Sequence, residues 1–204
     1  MSIHSAFCAD IGSITGNKFG WASITNGKLK SGSSIESFAE EIATAINKGN
    51  KVSIGFECPL FVPVREKPET VASARSGEGN RSWSAGAGTG ALATGLVEVL
   101  WIMRKVNSIL GYAPKPTFDW PEFLDSNTVF IWEAFVTARA KGLDHHHDAE
   151  IAVKTFLDSL DDLQTASAIN EPHVMSLVAA CALRAEWTSD IRMLWKPCLV
   201  IKRK

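Results

Sequence analysis

The chain has 204 residues, 46% of them hydrophobic and 21% charged, with 21 Lys and Arg against 22 Asp and Glu for a formal net charge of -1. That length suits one domain with a two-sided core, and the composition excludes a disordered or fibrous chain. The near-neutral balance excludes binding to nucleic acid through bulk positive charge, so any such contact has to be local.

No succession of basic, apolar and small residues typical of a secretory signal opens the sequence. The most apolar long segment, residues 91–110, carries Glu98, Arg104 and Lys105, and charges at the middle of a bilayer cost roughly 2.5 to 3.5 kcal/mol each. A cytoplasmic protein without a membrane span is expected. Cys8, Cys58, Cys181 and Cys198 lie far apart with no CxxC pair, which predicts buried, reduced thiols.

In chain order, residues 5–11 (SAFCADI) form a near-continuous apolar run of strand length, interrupted by Asp10. A second run, FGWASIT at 19–25, is followed by Asn26-Gly27, the signature of a tight hairpin into a third strand at about 28–33. Ser33 and Glu36 have capping-box spacing, and Ile35, Phe38, Ala39, Ile42 and Ile46 recur at helical intervals until Gly49 ends the helix. Residues 52–57 (VSIGFE) then alternate, with Val52, Ile54 and Phe56 on one face and Ser53, Gly55 and Glu57 on the other. A strand arriving after a helix predicts a parallel crossover onto the first strand.

From residue 59 to about 90 the sequence is rich in Pro, Gly, Ser and charge, and a Gly-rich loop is expected at about 64–90, of the length usually reserved for functional lids. A helix follows from about Ala91 to Leu110, and the segment 111–127, with three prolines, reads as loop. Residues 128–136 (TVFIWEAFV) make a fifth strand. A helix at about 148–160 comes next, then one from Pro172 through about Trp187, and Leu199–Ile201 fit a short final strand. The expected fold is α/β: a mixed five-stranded sheet, three strands in an antiparallel meander and two parallel, with helices on both faces of a single domain, 1–204.

A carboxylate inside an apolar strand is costly to bury unless it is paired or holds a cation. Parallel neighbours lie about 4.8 Å apart, which brings Glu57 near Asp10 at one edge of the sheet. Glu133, on the strand face of Val129, Ile131 and Phe135, is a third acid among apolar neighbours. Converging carboxylates repel, and an oxygen-rich cluster suits Mg²⁺ or Mn²⁺. Such ions in pairs serve phosphodiester hydrolysis.

The segments CADIGS at 8–13, GWA at 20–22, GFECPLFVP at 55–63, GEGNRSWSAGAGTGALATGL at 77–96 and HVMSLVAACAL at 173–183 resemble a family of uncharacterised predicted nucleases of the RNase H-like superfamily, which also holds the RuvC-type resolvases. The resemblance implies an RNase H-like domain with Asp10 and Glu57 as metal ligands. Where it would put acids at the start of the final helix and three residues on, this sequence has His173 and Ser176; His173 remains a candidate ligand or proton carrier.

The expected function is therefore a metal-dependent nuclease using Asp10, Glu57, Glu133 and His173, with Mg²⁺ or Mn²⁺ on the three acids. Arg75, Arg81 and Trp83 are the candidate substrate contacts, since Arg binds phosphate bidentately and Trp stacks on bases. Two alternatives stand beside it: a non-catalytic RNase H-like binding module that has lost part of the acidic site, and an actin- or sugar-kinase-like phosphotransferase, which also opens on an Asp-x-Gly turn but normally needs a second domain. Gly86, Gly88 and Gly90 lack the Lys-Ser/Thr ending of a P-loop. His145, His146 and His147 read as a solvated helix start.

Overall fold

Strand β1 (His4–Asp10) is buried along nearly its whole length because partners flank it on both edges and helices cover both of its faces. This arrangement comes from a computed structural model that describes residues 4–79, 82–136 and 144–202. β1 pairs antiparallel with β2 (Gly20–Thr25), which pairs antiparallel with β3 (Lys28–Gly32). Asn26 and Gly27 make the hairpin with φ of 51° and 70°, the left-handed values that a two-residue turn between twisted strands requires.

Helix α1 (Ile35–Asn47) follows, capped by Ser34, whose hydroxyl accepts from the Ser37 N–H at 3.1 Å. The cap is one residue later than the Ser33 and Glu36 spacing predicts. β4 (Lys51–Glu57) then returns parallel to β1, and β7 (Val129–Phe135) lies parallel to β4.

The fold is thus α/β with a mixed sheet, and five of its strands are those expected. Among the described residues the sheet has seven strands, however, in the order β3-β2-β1-β4-β7, with β6 (Pro116–Thr117) and β9 (Leu199–Lys202) both pairing with β7. β9 is the short final strand expected at Leu199–Ile201, β6 falls in the segment read as loop, and the two divide the outer edge of β7 between them. β6 takes its beginning and β9 its end. Pro116 opens its strand, where the missing N–H removes no ladder bond inside the sheet.

The prolines of 111–127 do not make that segment all loop. α3 (Trp120–Asp125) starts on Asp119, which accepts from the Glu122 N–H at 2.7 Å, with Pro121 in the first turn. α2 runs Ala87–Leu110 and α4 runs His145–Asp158, each starting earlier than expected. The helix expected from Pro172 is instead β8 (Val174–Ser176), paired antiparallel with β5 (Phe61–Pro63), followed by α5 (Leu177–Arg184).

Side-chain alternation sorts the sheet into two cores. Phe7, Ala9, Ile54, Phe56 and Ile131 face α1, α2 and α5, whereas Ala6, Cys8, Phe130 and Trp132 face α3 and α4. Trp132 stacks on Phe156 of α4 with ring centroids 4.5 Å apart. Its indole also lies over Gly55, where a Cβ would come within 2.3 Å of the ring. All four cysteines are free and buried. Among the described residues no helix is long and apolar enough to cross a membrane.

The expected loop at 64–90 is shorter and better fastened than its composition suggests. Arg65 holds Glu171 through two hydrogen bonds of 2.7 and 2.8 Å, and the Ser76 N–H donates to the same carboxylate at 2.6 Å. Ion pairs, rather than apolar area, tie this segment to the body of the domain.

Candidate functional site

Asp10 and Glu57 are the last residues of β1 and β4, and the parallel register sets them directly opposite each other. Their strand positions share the parity of Ala6, Cys8, Ser53 and Gly55, so both belong to the α4 side of the sheet. From that side α4 brings Asp148. One oxygen from each of Asp10, Glu57 and Asp148 lies within 4.8 Å of the other two. Asp10 and Asp148 are each only 4% exposed.

His145 stands one turn before Asp148 on the same helix face. Its Nδ1 is 2.6 Å from Asp10 Oδ2. The helix is started by Asp144, whose carboxylate accepts from the His147 N–H at 2.9 Å. His146 turns away toward Asp144, with Nε2 3.2 Å from its Oδ2. His145 and His146 therefore do different jobs, and His145 is the one seen to meet Asp10.

A fourth carboxylate lies close by. Glu98 of α2 is buried, and burial pushes it up to about 7 against the lowering hydrogen bond from the Gly12 N–H, with the charge of Asp10 adding to the rise. The same concentration of charge acts on Cys8, whose thiol is pushed up first by burial and then by Glu57 and Asp10. Nothing in the spacing of α2 marks Glu98 for this place in advance.

Glu133 does not join the cluster. Phe56 and Glu133 are register partners, so Glu133 projects from the α1 and α2 face, opposite to Asp10 and Glu57. There its two oxygens accept from Arg75 at 2.6 and 2.8 Å, and one of them also accepts from the Leu60 N–H at 2.9 Å. Burial pushes the Glu133 carboxyl up against the pull of the Arg75 charge. The bidentate geometry is that of an ion pair.

Arg75 lines the cleft beside Glu78 and Glu133, and its guanidinium is engaged within the protein. That group is divided between Glu133, Glu78 at 3.0 Å and the ring of Phe61, 4.8 Å from the centroid. Burial lowers its pKa, and the charges and hydrogen bonds of Glu133 and Glu78 outweigh that, holding it above the ordinary range. His173 is away from the site: it is exposed, and its carbonyl accepts the Val64 N–H at 2.9 Å beside β8. Ser176 caps α5, accepting from the Ala179 N–H at 3.3 Å. Arg81 lies outside the described residues.

The acids open onto a cleft of about 810 Å³ whose lining includes Asp10, Glu57, His145, Lys18 and Trp83. The wall opposite the sheet is the start of α2 and the turn before it, residues 85–91, all Gly or Ala except Thr89. Chemically, the arrangement offers hard carboxylate oxygens at close quarters, a donor set that fits Mg²⁺ or Mn²⁺, and an imidazole oriented by one of the acids. No family model matches the chain, and no curated protein or solved structure matches it either.

Proposed function

We propose that the chain is a divalent-cation-dependent phosphodiesterase of the RNase H-like kind, acting on nucleic acid. The observation that carries this reading is the convergence of Asp10, Glu57 and Asp148 within 4.8 Å of one another, two of them buried. Three carboxylates so placed repel strongly unless a cation or protons compensate them. The strand order, an antiparallel meander continued by parallel β4 and β7 with helices on both faces, supports the RNase H-like assignment.

Asp10, Glu57 and Asp148 would hold Mg²⁺ or Mn²⁺. When bound, such an ion lowers the pKa of water and neutralises charge on a phosphate. The protein's own residues do the rest. The sheet fixes Asp10 and Glu57 at adjacent strand ends, and α4 sets the depth of Asp148. With Nδ1 of His145 held by Asp10, any proton exchanged by that ring passes through Nε2 at the wall of the cleft. Asp148 and His145 of α4 supply from a different element the groups that the last helix lacks, which favours a catalytic centre over a non-catalytic module.

The direct test is hydrolysis of labelled single-stranded, duplex and branched substrates with Mg²⁺, Mn²⁺ or EDTA. Cleavage that needs the metal and disappears in Asp10→Asn and Asp148→Asn supports the proposal. Metal-independent cleavage, or full activity of either variant, contradicts it.

A further inference from the structure

The wall of the cleft from residue 82 to 91 reads SWSAGAGTGA, so Trp83 is its single large side chain. Its ring is half-buried and lines the cleft that Asp10 and Glu57 also line. The indole N–H donates to the Ser73 carbonyl at 3.0 Å, which fixes the ring's orientation without covering it. At Gly86 and at Gly90 the wall stays low: a Cβ at either position would meet nothing within 4 Å. A flat aromatic surface, anchored by its edge and bordered by open space, is the arrangement on which a planar ring can be laid.

The charges of the same cleft decide what kind of ring-bearing ligand fits. Among its described lining residues the cations are Lys18 and Arg75, and Arg75 is neutralised by Glu133 and Glu78. Phosphate neutralisation of the kind that holds a duplex, several Lys or Arg per site, is not offered by these residues. Stacking, worth about 1–3 kcal/mol per base and open only to an unpaired base, is the contact that these residues do offer.

We infer that Trp83 is a base-stacking platform and that the cleft takes a strand with unpaired bases rather than a continuous duplex. The inference rests on the reading of Asp10, Glu57 and Asp148 as a phosphodiester-cleaving centre and names its substrate class.

The test is fluorescence anisotropy with a labelled oligothymidylate and a blunt duplex of equal length, in Ca²⁺, with strand integrity checked on a gel. Mn²⁺ affinity is measured in parallel by calorimetry. The single strand should bind at least tenfold more tightly than the duplex. Trp83→Ala should weaken single-strand binding by about 5- to 150-fold, the stacking free energy converted to a ratio, while Trp83→Phe keeps most of it and neither variant alters Mn²⁺ affinity. An abasic strand should lose binding to the wild-type protein and be indifferent to Trp83→Ala. Equal binding of strand and duplex, an unchanged Trp83→Ala, or no binding of either nucleic acid overturns the inference. If the wild-type protein takes up no Mn²⁺, the metal reading falls, and the comparison of Trp83→Ala with Trp83→Phe still decides the stacking.

Discussion

Gly20 lies so close beneath the His145–His146 peptide that a Cβ on it would come within 2.3 Å of the His145 carbonyl carbon. The same Gly20 is the register partner of Asp10. The absence of a side chain at this one point lets the start of α4 settle onto the sheet, and that places His145 against Asp10 and Asp148 beside Glu57.

Gly20→Ala should therefore push the first turn of α4 outward. Overpacking of this kind costs about 1–3 kcal/mol, and its effect on the site should exceed its effect on the fold. The expected result is a modest fall in melting temperature together with a disproportionate loss of Mn²⁺ affinity. A variant that melts lower but binds Mn²⁺ as the wild type does would show that α4 keeps its place by other contacts.

Glu133 is a buried acid held by Arg75, and loss of its charge should be felt in stability rather than in metal affinity. Glu133→Gln leaves the guanidinium of Arg75 without its bidentate partner, which should destabilise the protein by about 3 kcal/mol while leaving metal affinity alone. Thermal melts in EDTA and calorimetry on the same sample separate the two effects. Weakened Mn²⁺ binding by a fully folded Glu133→Gln would return Glu133 to the site.

His4, at the start of β1, is hemmed in by Trp120, Phe123 and Phe156 at ring distances of 5.6 to 6.1 Å and bonded to Ser53. Burial lowers its pKa from 6.5 to about 4. The folded protein thus binds fewer protons than the unfolded chain between those values, and stability rises with pH across that window. The contribution is complete above about pH 6.5 and is lost as the pH falls toward about 4. Melting temperatures taken between pH 4 and 7 should slope upward, and His4→Phe should flatten the slope; an unchanged slope would assign it to carboxylates alone.

How much of this was legible in the sequence depends on register. Asp10 and Glu57 could be paired because a parallel crossover from α1 puts β4 beside β1, and both acids end their strands. Glu133 was misplaced although its parity was visible: it shares a face with Val129 and Ile131, and Glu57 does not share one with Ile54 and Phe56. What the sequence lacks is the alignment of β7 on β4, and once Phe56 faces Glu133 the acid must point away from Asp10.

Asp148 was hidden by a helix boundary. Starting α4 at residue 148 makes the three histidines a solvated lead-in. The cap at Asp144 starts it three residues sooner, and His145 and Asp148 then share a face. Asp144 before the His run was the available signal, as Asp119 before Trp120-Pro121 was for α3. Arg75 could not be told from a surface arginine in a Gly-rich segment, because its partner Glu133 is 58 residues away.

The central claim is that Asp10, Glu57 and Asp148 form one cation site, and the most direct measurement is calorimetric titration of Mn²⁺ into the metal-free wild-type protein and Asp148→Asn. The wild type should bind Mn²⁺ with a defined stoichiometry. Asp148→Asn, with a ligand oxygen's charge removed, should lose affinity by about tenfold or more. Absence of Mn²⁺ binding by the wild type, or equal affinity in the variant, would contradict the account.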